Sequence, residues 1–122
     1  MTSVFLKLEG NTVKNRIWSF LIINSEFDYS MRDIARYSRV SYTAIKEIWK
    51  EFTKRKVVVN TRNVGKAKMY KLNAKNPVVS KFIDYYWSVV QSEIKKELNV
   101  KDINKEDFKS SISPIAISAK NI

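Results

Sequence analysis

The sequence of 122 residues contains no cysteine and no histidine, and its only glycines are Gly10 and Gly65. Without cysteine the chain can form no disulfide, no thiolate metal site and no cysteine nucleophile. Without histidine it lacks the commonest general base and the commonest metal ligand. Two isolated glycines cannot supply a phosphate-binding loop or a dinucleotide-binding fingerprint. We therefore expect a protein that is not an enzyme and that uses no metal or cofactor.

The sequence also lacks an apolar run long enough to cross a membrane. The apolar segment 17–23, IWSFLII, is far shorter than the roughly 20 residues that a membrane-spanning helix needs. It lies within an amphipathic run that is compatible with a helix of a soluble domain. We expect a protein with no membrane association, located in the cytoplasm.

Positive charge is abundant and unevenly distributed. The chain has 23 lysines and arginines against 12 acidic residues, a formal net charge of +11. Such an excess favours a polyanionic partner such as nucleic acid. Segment 41–72 has only two acidic residues, Glu47 and Glu51, and is net +7 because it has nine basic ones: Lys46, Lys50, Lys54, Arg55, Lys56, Arg62, Lys66, Lys68 and Lys71.

The first half of the chain shows the periodicity of helices. Residues 1–9 alternate partly between apolar and polar side chains, which predicts a short strand or an extended arm. Residues 11–24 then follow helical spacing, with Val13, Ile17, Phe20 and Leu21 on one face. Residues 30–33, SMRD, form a helix-start signal, so a short helix is predicted over 31–38.

A second capping serine, Ser41, predicts another helix over 42–55. Its apolar stripe consists of Ile45, Ile48, Trp49 and Phe52, at spacings of three and four. This periodicity favours core positions for Trp49 and Phe52 over base stacking. Two short helices joined by a three-residue turn, with the second helix basic, are typical of a helix-turn-helix.

The residues after this helix predict a β-hairpin. Val57, Val58 and Val59 begin a β-branched strand, and 68–72 reads as its return partner. The loop 62–66, RNVGK, places Gly65 where a hairpin turn needs a positive φ. A hairpin that follows a basic helix of this kind is a wing.

Asn76 and Pro77 mark the start of a long helix, 77–98. Its wide apolar stripe favours contact between two copies of the helix. An alternative is that the aromatic run at 85–87 lines a small-molecule pocket. The predicted dimer interface comprises Val79, Phe82, Ile83, Tyr86, Trp87, Val90 and Ile94.

These segments predict a mainly α fold with a small β-hairpin wing, in the α+β class. The predicted organisation is a winged helix-turn-helix domain at 1–75, a dimerisation helix at 76–98 and a tail at 99–122. The tail has no helical periodicity, and it is either disordered or a segment that binds a protein partner.

Three stretches carry a resemblance to a known family: GNTVKNRIWSFL at 10–21, SMRDIARYSRVSYTAIKEIWKEFTKRKVV at 30–58, and VGKAKMYKLNAKNPVV at 64–79. The sequence resembles archaeal winged-helix transcriptional regulators, broadly those related to the multiple-antibiotic-resistance and arsenical-resistance repressors. The family often has glycine where this chain has Arg39 and Lys56. Both positions tolerate a larger residue if it adopts a left-handed backbone conformation at modest cost.

The resemblance implies how DNA would be bound. The helix 42–55 would lie in the major groove, and the wing at 60–68 would contact the minor groove or the backbone. Base edges would be read by Tyr42, Thr43 and Lys46, with phosphates held near Lys50 and Ser41. Further cations are implied beside the first helix of the motif and in the wing: Arg32, Arg36, Arg39, Arg62, Lys66 and Lys68.

Three functions fit this reading. The first is a homodimeric, sequence-specific regulator of transcription bound to double-stranded DNA. The second is an architectural or DNA-partition protein that coats DNA with little sequence preference, which the ratio of 17 lysines to 6 arginines favours. The third is a winged-helix module that contacts only proteins, with the tail 99–122 as its recruiting segment.

Overall fold

The computed structural model describes the backbone of residues 3–98 and the side chains of residues 3–96. In chain order, its elements are α1 (Val4–Glu9), α2 (Val13–Ile23), β1 (Tyr29–Ser30), α3 (Met31–Ser38), α4 (Tyr42–Lys54), β2 (Val58–Val64), β3 (Ala67–Leu72) and α5 (Pro77–Leu98). The fold is therefore mainly helical with a small antiparallel sheet, as the sequence predicts. The tail 99–122 lies outside the described residues.

The strand or arm predicted for residues 1–9 is wrong, because Val4–Glu9 form the helix α1. The Ser3 hydroxyl accepts a hydrogen bond from the backbone N–H of Leu6, which caps the helix start. Phe5 is buried and packs against Phe82 and Tyr86 of α5, with ring centroids 6.0 and 4.6 Å apart. Burial of one aromatic side chain against α5 therefore outweighs the weak alternation of the sequence.

The helices of the helix-turn-helix begin at the serines that the sequence predicts. The Ser30 hydroxyl accepts from the N–H of Asp33 at 3.1 Å, and the Ser41 hydroxyl accepts from the N–H of Ala44 at 3.1 Å. The core positions of α4 are also confirmed, since Ile45, Trp49 and Phe52 are all buried.

The predicted wing is present, but it is longer and its turn is tighter. The strands pair from Val58↔Leu72 out to Val64↔Ala67, so the turn contains only residues 65 and 66 instead of 62–66. Gly65 has a φ of 60°, the positive value that its position predicts. A β-bulge between Asn60 and Arg62 interrupts the register.

A third strand, β1, was not predicted. It contains only Tyr29 and Ser30, and it pairs with β3 through Tyr29↔Tyr70 and Ser30↔Met69. The strand order is β1-β3-β2. Two residues are too few to show a period of two in a sequence. Because Ser30 also caps α3, this strand holds the wing beside the start of the helix-turn-helix.

Much of the apolar stripe of α5 faces the protein's own core, which removes four of the seven residues from the predicted dimer interface. Val79, Tyr86, Trp87 and Val90 are between 0% and 5% exposed in the single chain. The Tyr86 hydroxyl is 2.8 Å from the Ser19 hydroxyl of α2. These four side chains therefore offer no open surface to a partner. The other three predicted residues, Phe82, Ile83 and Ile94, are partly buried against the same core.

One continuous core joins the elements. Trp18 of α2 stacks on Phe82 of α5 at 4.1 Å and tilts against Phe52 of α4 at 5.2 Å. The core therefore connects α5 to the helix-turn-helix rather than leaving it as an isolated arm. Within the part of the chain that the structure describes, no helix has the length and apolarity needed to cross a bilayer.

Candidate nucleic-acid interface

All eleven residues that the sequence and the resemblance assign to DNA contact are exposed in the structure. They lie on α3, on the turn after it, on the outer face of α4 and on the wing: Arg32, Arg36, Arg39, Ser41, Tyr42, Thr43, Lys46, Lys50, Arg62, Lys66 and Lys68. The apolar face of α4 is buried, so its polar face is free to meet a ligand.

The turn between α3 and α4 is fixed by its backbone. Arg39 adopts a left-handed conformation with a φ of 59°, and its N–H and that of Val40 bond back to the end of α3. This arrangement is a Schellman motif, in which glycine is the usual residue. The Arg16 guanidinium donates to the Arg39 carbonyl at 3.2 Å. These contacts set the angle at which α4 leaves α3.

Tyr42, the first residue of α4, lies between two cations. The Arg32 guanidinium is 4.9 Å from the centre of the Tyr42 ring, and the Lys46 ammonium is 5.6 Å from it. Cations at these distances are attracted by the face of an aromatic ring. The ring therefore holds both positive charges near the start of α4.

An open groove of about 470 Å³ runs between the start of α3, the start of α4 and the tip of the wing. The pairing of β1 with β3 forms it, because it brings the wing beside Ser30. Four of the predicted residues line it, together with four that were not predicted: Ser30, Met31, Arg32, Tyr42, Lys66, Ala67, Lys68 and Tyr70.

Arg62 of the wing is held by an acidic residue that the sequence analysis did not single out. Its guanidinium donates to both oxygens of Asp28, at 2.9 and 3.1 Å, and the Thr61 hydroxyl donates to the same carboxylate. The hydrogen bonds from Arg62 and Thr61 lower the pKa of Asp28 from 3.8 to about 2. No sequence signal links Asp28 to Arg62, since 34 positions separate them.

Two other predicted DNA contacts are paired along their own helix. Arg36 bonds to Asp33 at 3.2 Å, and Lys50 bonds to Glu47 at 3.1 Å. Both are exposed pairs at a spacing of three residues, which contribute little to stability. Each cation can therefore exchange its acidic partner for a phosphate at low cost.

The fold and this surface define a winged helix-turn-helix protein. No protein-family profile matches the sequence, and no curated protein matches it. Solved structures do match, however. ZitR from Lactococcus lactis, as a variant in its apo form, aligns over 90% of this chain and 84% of its own, with 16% identity and a TM-score of 0.55.

Two further matches share this fold. MepR, a transcription regulator of the Staphylococcus aureus multidrug efflux pump MepA, aligns over 91% of this chain and 79% of its own, with 11% identity and a TM-score of 0.57. Another ZitR variant, in complex with DNA, aligns over 88% of this chain and 74% of its own, with 18% identity and a TM-score of 0.51. ZitR is described as a zinc-responsive MarR family member. At these identities the likeness establishes the fold alone.

Proposed function

We propose that this protein is a homodimeric transcriptional regulator that binds double-stranded DNA in a sequence-specific manner. The observation that carries the proposal is the groove where cations of α3 and the wing meet the start of α4. The excess charge of segment 41–72 and the exposure of its predicted contacts support the same conclusion. A protein of this kind acts in the cytoplasm on the nucleoid and has no enzymatic activity.

In this proposal α4 enters the major groove, which is wide enough to admit a helix and distinguishes all four base pairs. Tyr42, Thr43 and Lys46 lie on its exposed face and read base edges. Lys50, once released from Glu47, and Ser41 contact phosphates. The wing contacts the minor groove or the backbone beside it.

The solved neighbours support the DNA-binding part of this proposal, since one ZitR variant is in complex with DNA. Our proposal includes no zinc response. The chain has no cysteine or histidine, and residues 3–96 contain no cluster of three or more side chains suited to a metal ion. Both neighbours come from bacteria, so the archaeal part of the resemblance stays a prediction.

The proposal is tested by selecting bound sequences from a random duplex library and by measuring affinity across a salt series. We expect enrichment of a pseudo-palindromic sequence and a steep fall of affinity with salt. A variant with Lys46 and Lys50 changed to alanine should lose both enrichment and affinity. The matched control changes Lys7 and Lys75 to alanine, removing the same charge from α1 and from the loop before α5. Absence of any enriched sequence would exclude a specific regulator.

The architectural alternative is supported by a particular observation. Arginine reads bases in a bidentate manner, but only six arginines are present, and Arg36 and Arg62 already bond to Asp33 and Asp28. Lysines, which act as point charges, make up most of the basic residues in the sequence. Steep salt dependence without enrichment, with footprints that spread along the DNA, would favour this alternative.

A further inference from the structure

Asp28 connects two parts of the fold that are far apart in the sequence. It directly precedes β1, and Ser30, two residues later, caps α3. Its carboxylate accepts hydrogen bonds from the side chains of Thr61 and Arg62 in β2. One carboxylate therefore joins the start of the helix-turn-helix to the middle of the wing.

The β-bulge of the wing explains how two consecutive side chains reach the same carboxylate. Neighbouring side chains of a regular strand point to opposite faces. The register skips Thr61, because Asn60 and Arg62 pair with consecutive residues of β3. The extra residue turns the strand, so that Thr61 and Arg62 both face Asp28. The Asn60 amide donates to the carbonyls of Arg62 and Met69, at 3.2 and 2.8 Å, and stabilises the bulge.

The Asp28 clamp, which we define as this carboxylate with the side chains of Thr61 and Arg62, lies where the wing loses its third strand. Arg62 pairs with Met69, the outermost residue of β3 that also pairs with β1. Beyond this point the wing is a two-stranded hairpin, which has little stability of its own. Because a bulge bends its strand, the geometry at Thr61 decides where the hairpin tip points. The Asp28 clamp therefore fixes the outer part of the wing relative to the helix-turn-helix.

Arg62 differs from the other paired cations that the sequence assigns to DNA. The side chain of its partner Asp28 is 15% exposed, compared with 41% for Asp33 and 70% for Glu47. A carboxylate that loses its cation must be compensated by water, which is easy for an exposed group and costly for a largely buried one. Arg62 also commits both Nε and Nη2 to Asp28. Its guanidinium is therefore held within the protein.

We propose that Asp28 is a positioning residue for the wing, and that Arg62 anchors the wing instead of contacting DNA. This inference rests on the proposed function and reassigns one of its predicted contacts. The Asp28 clamp holds the outer part of the wing at one angle to α4, which reduces the conformational entropy that is lost on binding. A carboxylate beside the DNA-binding surface thus strengthens binding, although its charge repels DNA.

The direction of the change in affinity tests this inference, on the sequence that the full chain enriches from a random duplex library. Asp28→Asn should lower the affinity about tenfold, the scale of one lost charge-assisted hydrogen bond. If the carboxylate acted only through its charge, the same substitution would raise the affinity. Glu47→Gln, which removes the same charge from the exposed face of α4, is the matched control and should raise it. Asp28→Asn combined with Arg62→Gln should bind no more weakly than Asp28→Asn, because the clamp is already broken.

The outcomes separate this inference from the proposed function. A gain of affinity in Asp28→Asn would overturn the inference and leave the regulator intact. So would a further loss in the double variant with a fall of about 0.9 in the slope of log affinity against log salt, because that result identifies Arg62 as a phosphate contact. Failure of the wild-type chain to bind duplex DNA would overturn both.

The position of the wing is measured separately, on the free protein. The chain has no cysteine, so Val64→Cys at the wing tip and Ser88→Cys on α5 give two exposed sites for nitroxide labels. Pulsed electron paramagnetic resonance of labelled chain, diluted into unlabelled chain, should show one narrow distance distribution. Asp28→Asn should broaden this distribution, and an unchanged one would overturn the inference. Thermal unfolding checks that the variant is folded, and Thr61→Val, which keeps the ion pair, is the milder substitution if it is not.

Discussion

Two residues that are not glycine occupy left-handed positions at helix ends. Arg39 ends α3 with a φ of 59°, and Lys56 follows α4 with a φ of 58°. In both cases the next residue, Val40 or Val57, donates its N–H back into the helix to complete a Schellman motif. Both left-handed positions are thus occupied by basic residues, which adds positive charge to the chain at a cost in stability.

This cost predicts the effect of glycine at position 56. A left-handed conformation costs a non-glycine residue about 1–2 kcal/mol, and the entropy of a glycine in the unfolded chain offsets part of it. Lys56→Gly should therefore stabilise the protein by about 0.5–1 kcal/mol in urea unfolding. Lys56→Ala is the control, because it keeps the Cβ atom and should bring no gain. Equal effects of the two substitutions would contradict the argument.

At Gly65 the opposite change in stability is expected, because a substitution there would place a Cβ atom on a left-handed residue. Its φ is 60°, and a Cβ atom added there would meet nothing within 4 Å. Gly65→Ala should destabilise the protein by about 1 kcal/mol through backbone conformation alone. Urea unfolding measures this change, and an unaltered midpoint would show that the wing turn relaxes without cost.

The ion pair between Asp28 and Arg62 predicts a pH dependence. The folded pKa of Asp28, about 2, is lower than its ordinary value of 3.8. The pair therefore stabilises the fold above pH 3.8, and this contribution is lost as pH falls through the folded pKa. The stability difference between wild type and Asp28→Asn should shrink as the pH falls from about 5 to about 2 in urea unfolding. If the free energy of unfolding fell equally in both proteins over this pH range, the pair would not stabilise the fold.

At the scale of elements, α5 is tied to the domain by a buried polar contact. The hydroxyls of Ser19 and Tyr86 lie 2.8 Å apart, and both side chains are buried. Burial raises the pKa of Tyr86, and the hydrogen bonds with Ser19 and Ser3 oppose that rise in part. Such a contact fixes the register of α5 against α2, since a shift of either helix would leave a hydroxyl without its partner.

Removing one hydroxyl should therefore cost more than removing both. Tyr86→Phe should destabilise the protein by about 1–2 kcal/mol, because the Ser19 hydroxyl loses its partner in the core. The double variant Ser19→Ala with Tyr86→Phe should recover part of that loss. Urea unfolding of the two single variants and the double variant gives the coupling free energy. Additive effects would mean that the two hydroxyls do not stabilise each other.

At the scale of the whole molecule, the proposed homodimer needs a surface other than the buried stripe of α5. Val78 and Tyr85 are about half exposed and lie seven residues apart on one face of the helix. Phe82 lies between them and contacts Tyr85, with ring centroids 6.4 Å apart. Leu8 of α1, which packs beside α5, is also half exposed. An exposed apolar face of this kind is typical of an interface.

We therefore expect Tyr85→Glu to convert the protein to a monomer, because a buried carboxylate opposes association. Ser80→Glu, which changes an exposed polar position on the opposite side of the same helix, is the control and should remain dimeric. Sedimentation velocity measures both. A wild-type chain that sediments as a monomer would contradict the homodimer itself, while a dimeric Tyr85→Glu variant would place the interface elsewhere.

The sequence by itself determined much of the local structure from α2 to the wing. Ser30 and Ser41 cap helices, the spacing of Ile45, Trp49 and Phe52 defines a buried face, and Gly65 turns the wing. Each of these features depends on residues a few positions apart, so hydrogen-bonding and packing rules can be applied directly to the amino-acid sequence. The basic segment 41–72, which includes α4 and the wing, could also be identified from the sequence, because charge depends only on which residues are present.

Only the tertiary structure decided which residues meet across the chain. The sequence predicted a strand or arm where α1 forms, because Phe5 gains its burial from α5, 77 positions away at Phe82. It missed β1, Asp28 and the groove, since all three depend on the pairing of the wing with residues before α3. From the sequence, the apolar stripe of α5 was predicted to contact a second copy of the chain. Periodicity shows that one face of a helix is buried, but it does not show which surface covers that face. Long-range packing supplies that answer.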